Sequence, residues 1–493
     1  MGEQGEQRAE DTRSAGTPSE GTQSHDPDFP QRFVEFMRTG WRDTSLSVSP
    51  RPEAPQHAKR RAAVSAVFPG ETLVIPSGRA KVRANDTEYP FRPGSDHVWL
   101  TGEHDPDAVL VMRAGGDDTL YIRPRSPRDT DEFFRDRMYG ELWIGRRHTL
   151  AEKSAELGIA TADLATLPAV LDDLAPGRTR VLRGYDPAVD TAVRPAGDGM
   201  RDAELAWTLS ELRLVKDEWE IAQLQDAIDA TVRGFEDVAR VLPADRTVSE
   251  RLLEGVFGLR ARHDGNDVGY SSIVGAGPHG AILHWIHNNG RTAPGELLLM
   301  DMGVENRNFY TADVTRTVPV NGRFTPLQRQ VYDIVHRSQQ AGMDVIKPGV
   351  KFADIHQTCM RVLAEGLADL GVLPVSVDEA MSKESTLYRR WTLHGFGHML
   401  GLDVHDCAHA RSENYRKGSV QEGYVLTVEP GLYFQPEDEL VPAELRGIGI
   451  RIEDDVLVTA SGARNLSAGL PRTADEVEAW LAAQREAGPR LPE

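Results

Sequence analysis

Cysteine is scarce in this chain, whose 493 residues include only Cys359 and Cys407. Two cysteines are too few for a disulfide framework in so long a chain. Such low usage is typical of proteins kept in a reducing compartment. We therefore expect a cytoplasmic location.

Long apolar runs and an excess of basic residues are also missing. No stretch approaches the roughly 18 apolar residues that cross a bilayer, and the N-terminus lacks the basic-then-apolar pattern of a signal peptide. The 56 Lys and Arg are outnumbered by 76 Asp and Glu, which gives a net charge of −20. That charge argues against a nucleic-acid backbone or an anionic membrane as the main partner.

The N-terminal part of the chain divides by composition. The length of 493 residues and the hydrophobic content of 40% predict two to four domains with a sizeable core. Residues 1–58 are acidic and Pro-rich and predict a disordered tail, with a short helix within 30–41. Residues 59–210 alternate strand-like and helical stretches and predict an α/β domain. Within it, "HVWLTG" at 97–102 is interpreted as a strand.

The remainder of the chain mixes long helices with strand-like runs that have antiparallel turn signals. Residues 211–480 therefore predict an α+β domain, which opens with one long amphipathic helix over 211–242. Residues 481–493 are interpreted as a short C-terminal tail. At this point a cytoplasmic binding protein remains an alternative to an enzyme.

Two aspartates interrupt the apolar runs of "LLLMDMGVENRNFYTADVTRT", residues 298–318. The turn signal "NRN" predicts a hairpin centred on Arg307, in which Asp301 faces Asp313. Facing residues lie about 4.5–5.5 Å apart at Cβ, so the two charges need a shared proton or a divalent cation between them. The alternative, one aspartate capping a turn and the other exposed, stays open on these residues alone.

Two glutamates repeat this pattern. Glu429 lies in "VLTVEPGLYF" and Glu453 in "GIGIRIEDDVLV", and each interrupts a strand-like run. Either one alone is readily explained as an ion-pair partner, for example Glu453 with Arg451. Four such carboxylates in one domain are harder to explain separately, because charged residues are almost never buried unpaired.

Histidines are concentrated in "HGFGHMLGLDVHD", which contributes His394, His398 and His405. The spacing of the first two resembles the zincin H-E-x-x-H motif. No Glu follows His394, however, and Gly395 and Gly397 are poor helix formers. We therefore expect a Gly-rich loop or strand that presents imidazoles to a cavity. His284 and His287 in "GAILHWIHNNG" are weaker candidates.

These residues together predict a metal site formed by the four carboxylates, Asp301, Asp313, Glu429 and Glu453, and one of the nearby imidazoles. Its oxygen-rich donors favour Mn²⁺, with Co²⁺ or Zn²⁺ as alternatives. Such a set can hold two ions about 3.5–4 Å apart, which lower the pKa of a bridging water and polarise a carbonyl. The chemistry indicated is hydrolysis.

With the motifs "HGFGHMLGLDVHD" and "TVEPGLY", the chain resembles the pita-bread metallopeptidases: methionine aminopeptidase, prolidase and aminopeptidase P. The resemblance implies five dimetal ligands, matched in type and order by Asp301, Asp313, His398, Glu429 and Glu453. The resemblance extends from about residue 59 to 480. "SDHVWLTGEHDPDAVLVM" (95–112) and "ELWIGRR" (141–147) resemble aminopeptidase P in particular. The resemblance implies an α/β N-terminal domain followed by an α+β pita-bread catalytic domain. It also implies that a metal-bridging hydroxide hydrolyses the N-terminal Xaa-Pro bond of peptides.

The resemblance implies roles for further residues. His284 corresponds to a histidine that contacts the reacting substrate, His405 to one that hydrogen-bonds the polarised carbonyl oxygen, and His394 to a wall of the proline pocket. Glu429 would move the proton, and Arg451 would support the site. Asp96 and Trp143 match positions that reach a neighbouring subunit's site, which implies a homotetramer.

Three alternatives accompany this hypothesis. Prolidase shares the metals and the chemistry but cleaves only dipeptides. Creatinase-like proteins share the fold but replace the ligands, all five of which are kept here. A catalytically inactive pita-bread protein that acts by binding is the third.

Overall fold

The computed structural model describes residues 28–492. The tail predicted over residues 1–58 lies outside the described residues from 1 to 27, and so does residue 493. The predicted C-terminal end of the tail is wrong, because residues 54–58 belong to helix Ala54–Val67. The described chain forms two compact units. One comprises residues 28–48 and 124–153, and the other comprises 49–123 and 154–492.

The smaller unit is built from short helices, Gln31–Met37, Glu132–Arg135 and Glu141–Ile144, and from the start of Leu150–Leu157. The short helix predicted within 30–41 is thereby confirmed. Val34, Phe133 and Phe134 form the small apolar core of this unit.

The larger unit begins with a five-stranded sheet. Its strands, in spatial order, are Ala160–Asp163, Thr119–Ile122, Val109–Met112, Thr72–Pro76 and Thr179–Val181. The helices of this region are Ala54–Val67, Ser95–Thr101, Leu167–Asp172 and Pro187–Ala192, and a small hairpin joins Val82–Ala84 to Thr87–Glu88.

The strand predicted at 97–102 is wrong, because these residues belong to helix Ser95–Thr101. Every residue of this helix is buried, so its apolar run has no periodicity that distinguishes a helix from a strand. Gly102 ends the helix with φ +68°, and its N–H donates to Val98 O.

The C-terminal part of the larger unit, from Met200 onward, has seven α-helices: Met200–Leu212, Glu218–Val241, Glu250–Asp264, Pro326–Val345, Phe352–Asp369, Val377–Met381 and Ala474–Ala487. The single helix predicted over 211–242 is wrong, because it is broken between Leu212 and Glu218. Asp217 caps the second helix by accepting a hydrogen bond from the N–H of Glu220, and the Glu220 carboxylate accepts from Asp217 N–H. A capping box of this kind starts a new helix.

The strands of this part form small antiparallel sheets. Ile273–Ala276, Leu297–Met302 and Val314–Pro319 form one, Val425–Val428, Asp454–Thr459 and Gly462–Asn465 form a second, and Gly431–Tyr433 pairs with Gly449–Arg451. Val304–Glu305 pairs with Asp267–Val268.

The predicted register of the aspartate hairpin is wrong by two residues, because Asp301 pairs with Thr315. The turn spans Asn306 to Tyr310 and is held by the hydrogen bond from Asn306 N–H to Tyr310 O, with Phe309 at φ +67°. The centre of the hairpin therefore moves from 307 to 308. A shift of two keeps both aspartates on one face of the sheet, so Asp313 lies diagonally from Asp301.

The last helix, Ala474–Ala487, continues beyond residue 480, where a tail was expected. Leu481 is fully buried, which explains why the helix stays packed on the fold. The boundaries at 59–210 and 211–480 stay a prediction. Within residues 28–492, every helix is too short or too polar to span a bilayer. Cys359 and Cys407 are both buried and free.

Two buried histidines near the N-terminal sheet make stability sensitive to acid. Burial lowers the pKa of His57 to about 3 and that of His97 to about 4, from 6.5. Between pH 6.5 and 4 the unfolded chain therefore binds more protons, and stability is lost as the pH falls through this window. Each histidine should reduce the free energy of unfolding by about 2 kcal/mol at pH 5.

Urea unfolding at pH 7.5 and pH 5 measures this loss. His97→Gln should reduce the difference between the two pH values. His409→Gln, at an exposed position, is the matched control and should leave it unchanged. If the free energy of unfolding changed equally with pH in all three proteins, His97 would not contribute to the loss of stability at low pH.

Candidate metal centre and active-site cavity

A cavity of about 1080 Å³ lies in the larger unit. Its lining contains nine of the residues predicted from the sequence: His284, Asp301, Asp313, His394, His398, His405, Glu429, Arg451 and Glu453. Residues up to 169 positions apart in the chain therefore meet at one site, as the motifs predicted.

The aspartate hairpin supplies one wall of the cavity. The hydroxyl of Tyr270 lies 2.7 Å from Asp301 Oδ1 and 2.6 Å from Asp313 Oδ1. The two carboxylates are 8% and 5% exposed. Asp455 Oδ2 accepts the N–H of Asp313 at 3.1 Å, which fixes the main chain at the end of the turn. The diagonal register and the shared hydroxyl bring the two carboxylates together.

The histidine motif forms an extended segment beside strand Val425–Val428. Thr427 N–H donates to His398 O and Glu429 N–H to Phe396 O, at 2.9 and 2.7 Å. A Cβ at Gly397 would lie 1.9 Å from Thr427 O, so only glycine permits this close approach. The prediction of a Gly-rich strand or loop is confirmed, and this geometry directs the imidazole of His398 into the cavity.

Glu429 and Glu453 lie at breaks in two paired strands. Glu429 follows Val425–Val428 and precedes Gly431–Tyr433, while Glu453 separates Gly449–Arg451 from Asp454–Thr459. Thr315 Oγ1 donates to Glu453 Oε2 at 2.5 Å. The strand breaks thus place both glutamates beside the aspartate hairpin.

Arg451 provides a positive charge within this acidic cluster. It is 3% exposed and donates from Nη2 to Asp301 Oδ2 at 2.6 Å. Its Nη1 donates to the hydroxyl of Tyr433 at 2.8 Å and its Nε to Thr315 Oγ1 at 3.0 Å. A guanidinium held by three partners fixes the orientation of the Asp301 carboxylate.

The pKa values of three further ligand candidates are shifted by burial and by neighbouring charges. Burial raises the pKa of Glu453 well above its usual value, and Asp313 and Glu429 raise it further. Burial also raises the pKa of Glu429, to about 7, although His398 opposes the shift. Burial lowers the pKa of His398, but its contacts with Asp313 and Glu429 outweigh that effect and raise it to about 9.

This donor set fits divalent cations. Single ligand atoms of Asp313, His398 and Glu453 all lie within 4.8 Å of one another. Nδ1 of His398 lies 3.0 Å from Met399 O, so it donates there, which leaves Nε2 as the nitrogen that can bind a metal once its proton is displaced. Buried carboxylates that raise one another's pKa are stabilised when a cation lies between them.

Two of the remaining histidines have defined surroundings. His394 Nε2 lies 2.7 Å from the hydroxyl of Tyr433, and its Nδ1 lies 3.4 Å from Glu429 Oε2. The rings of His405 and His398 are perpendicular with centroids 4.4 Å apart. His284 is exposed on the segment that follows strand Ile273–Ala276.

Asp96 and Trp143 do not line the cavity. Asp96 is 4% exposed, and its Oδ1 accepts from Nη1 of Arg213 at 2.7 Å. Trp143 belongs to the smaller unit, where it is 53% exposed and donates from Nε1 to Phe134 O. Their expected action at a neighbouring subunit's site stays a prediction.

Several supporting residues were missed by sequence reasoning. They are Tyr270, Thr315, Tyr433 and Arg316, whose Nη1 donates to Glu453 O at 2.6 Å. Arg316 is 1% exposed. An arginine inside the apolar run "ADVTRTVPV" was therefore a signal of the same kind as the interrupting carboxylates. Tyr270 gave no such signal, because a lone tyrosine between glycine and serine is unremarkable in a loop.

Loss of the Tyr270 hydroxyl should weaken metal binding. Tyr270→Phe removes the hydroxyl that lies within hydrogen-bond distance of both Asp301 and Asp313, and loss of a partner that orients metal ligands typically costs about 10–100-fold in metal affinity. Competition against a chelator measures this. Tyr332→Phe, whose hydroxyl donates to Arg472 O instead, is the matched control. Equal affinities in the two variants would contradict this role.

Comparisons with known proteins identify the family. Residues 222–460 match the family model described as "Metallopeptidase family M24", and residues 57–182 match the one described as "Aminopeptidase P, N-terminal domain". Xaa-Pro aminopeptidase 1 of Streptomyces coelicolor is 53% identical over 461 residues, which cover 93% of each chain. The chain belongs to metallopeptidase family M24. The resemblance to aminopeptidase P stated from the motifs is thereby confirmed.

More distant M24 relatives agree in sequence and in structure. Xaa-Pro aminopeptidase of Escherichia coli is 34% identical over 87% of this chain and 97% of its own. The structure of aminopeptidase P from E. coli with the inhibitor Pro-Leu is 31% identical, with a TM-score of 0.78 over 89% of this chain and 100% of that one. The predicted combination of an α/β N-terminal domain with an α+β pita-bread catalytic domain is confirmed.

Proposed function

We propose that this M24 chain is a metal-dependent aminopeptidase that removes the N-terminal residue from peptides with proline in second position. The observation that carries the proposal is the convergence of four carboxylates and His398 in one cavity. The names of the relatives, Xaa-Pro aminopeptidases at 53% and 34% identity, supply the substrate class.

We propose that the metal site holds two divalent ions, most readily Mn²⁺, with Co²⁺ or Zn²⁺ as alternatives. The ligands would be Asp301, Asp313, His398, Glu429 and Glu453. When bound, the ions supply the Lewis acidity that polarises a carbonyl group and acidifies a water molecule. The remaining steps belong to side chains of the protein.

Glu429 is the residue we assign to proton transfer. Its Oε1 lies 3.6 Å from His398 Nε2 and its Oε2 3.4 Å from His394 Nδ1, so the carboxylate lies between a proposed metal ligand and the proposed wall of the proline pocket. The leaving nitrogen of proline belongs to a tertiary amide and has no hydrogen of its own. As in the hydrolysis of any amide, this nitrogen must receive a proton when the C–N bond breaks, and Glu429 takes that proton from the attacking water and delivers it.

The histidines around the cavity are assigned to the substrate. His405, and His284 with it, would donate hydrogen bonds to the carbonyl oxygen as it gains negative charge. His394 would form a wall of the pocket for the proline ring, held by its contact with Tyr433. Arg451 would keep Asp301 oriented.

Substrate length separates this proposal from prolidase activity. The cavity lining includes Phe352, Tyr415 and Arg416 in addition to the ligand candidates. A volume of about 1080 Å³ gives space for residues that follow the proline. A peptide that continues beyond proline should therefore be accepted.

The test is an assay with Mn²⁺ on a dipeptide Xaa-Pro and on a longer peptide Xaa-Pro-Xaa, with Xaa-Ala-Xaa as the specificity control. Release of the first residue from the longer proline peptide, and little from the alanine peptide, is expected. Cleavage of the dipeptide alone would show prolidase activity instead. No cleavage by a protein that binds metal would indicate an inactive pita-bread protein.

We also propose a cytoplasmic location and a homotetramer. The location is supported by two cysteines that are both buried and free. The tetramer is supported by the motif match at Asp96 and by the exposed indole of Trp143. Light scattering of the purified protein tests the assembly, and a monomer would contradict it.

A further inference from the structure

Glu250 is a fully buried carboxylate outside the cavity, at the first turn of helix Glu250–Asp264. Its Oε1 accepts from the N–H of Ala276 at 2.9 Å and lies 2.8 Å from His279 Nδ1. Its Oε2 accepts from Trp285 Nε1 at 2.9 Å and from the N–H of Gly290 at 2.7 Å. One side chain thus holds four donors that all belong to residues 276–290.

The segment 276–290 forms part of the cavity wall. Leu283, His284 and Ile286 line the cavity, and residues 282–290 contain neither helix nor strand. A segment that lacks the backbone hydrogen bonds of a helix or a strand needs other contacts to hold one conformation. His284 is itself exposed, so its position depends on its neighbours in the chain.

Trp285, the residue next to His284, connects the buried carboxylate to the cavity wall. Its indole stacks on the ring of His279 with centroids 3.8 Å apart and planes 25° apart. Both rings bond to Glu250, one to each oxygen. Gly290 is bonded to Glu250 twice, because its carbonyl oxygen also accepts a hydrogen bond from the N–H of Glu250 at 3.1 Å.

We infer that Glu250 is a positioning residue, which holds the segment 276–290 so that the imidazole of His284 meets the substrate. The inference rests on the role given to His284 in the proposed function. Glu250→Gln keeps the shape of the side chain but replaces one oxygen by an amino group, which cannot accept. Two of the four donors then lose their acceptor.

The test is a double-mutant cycle on the full-length, Mn²⁺-loaded protein, with kcat measured on an Xaa-Pro-Xaa peptide. His284→Ala should lower kcat about 100-fold, and Glu250→Gln should lower it about 10-fold. The double variant should be no slower than His284→Ala within a factor of two, because a residue that acts only through His284 has no effect once His284 is gone.

Glu220→Gln is the matched control. Glu220 is also buried, and it also accepts from a tryptophan Nε1, that of Trp99 at 3.2 Å, but no bond joins it to residues 276–290. It should lose thermal stability while keeping kcat within about twofold. If Glu250→Gln does not fold, Trp285→Phe removes a donor from the same arrangement and should show the same dependence on His284.

The outcomes distinguish two failures. Effects of Glu250→Gln and His284→Ala that multiply, or a wild-type kcat for Glu250→Gln, would overturn the positioning role alone. A wild-type kcat for His284→Ala would overturn the role of His284 in the proposed function, and with it the inference about Glu250.

Discussion

Replacement of Glu429 by alanine should abolish nearly all turnover of an Xaa-Pro-Xaa peptide by the metal-loaded protein. In the proposed function Glu429 is both a metal ligand and the proton carrier, and general acid–base catalysis alone accounts for about 10²–10⁴ in rate. The side chain lies at the break between strands Val425–Val428 and Gly431–Tyr433, so truncation leaves the hydrogen bonds of both strands in place.

The rate should be measured at saturating Mn²⁺, so that weaker metal binding is not mistaken for lost catalysis. Glu365→Ala, on the exposed face of helix Phe352–Asp369, is the matched control and should keep the wild-type rate. If Glu429→Ala retained more than about a tenth of wild-type kcat at saturating metal, the role assigned to Glu429 would be wrong.

Removal of the metal ions should abolish activity and also destabilise the catalytic part of the protein. Without cations, the carboxylates of Asp301, Asp313, Glu429 and Glu453 repel one another in a buried site whenever they are charged. Burial is the main cause that raises the pKa of Glu453, and the nearby Asp313 and Glu429 raise it further. A ligand that binds only the folded state stabilises it by about 2.7 kcal/mol at 100 times its dissociation constant. The melting temperature should therefore fall on chelation.

Thermal unfolding before and after chelation, and again after addition of Mn²⁺, measures this effect. The wild-type protein should recover both its activity and its melting temperature. Asp301→Asn/Asp313→Asn, which removes two of the charges, should melt at nearly the same temperature with and without chelator. An unchanged wild-type melting temperature on chelation would contradict the proposed electrostatic role of the ions.

The ligand candidates could be predicted because burying charge is costly. Each of the four carboxylates interrupts an apolar stretch: Asp301, Asp313, Glu429 and Glu453. A carboxylate that is buried with such a stretch needs a hydrogen-bond donor or a cation beside it. Tyr270 could not be predicted in this way. Its hydroxyl meets carboxylates 31 and 43 positions later in the chain, and nothing near it in the sequence indicates that contact.

Local geometry was harder to predict than residue type. The hairpin register depended on a turn that spans Asn306 to Tyr310, and the signal "NRN" alone located its centre one residue too early. The apolar run at 97–102 is buried all round as a helix, so its pattern was equally compatible with a strand. In both places packing and turn geometry decided the structure.

The proposed function requires two divalent ions held jointly by the hairpin aspartates, His398 and the two glutamates. The most direct test is to titrate metal-free protein with Mn²⁺ while measuring bound metal per chain and the rate of Xaa-Pro-Xaa cleavage on the same samples. We expect two ions per chain and full activity only when both are bound. Full activity in metal-free protein, or no cleavage with two ions bound, would contradict it.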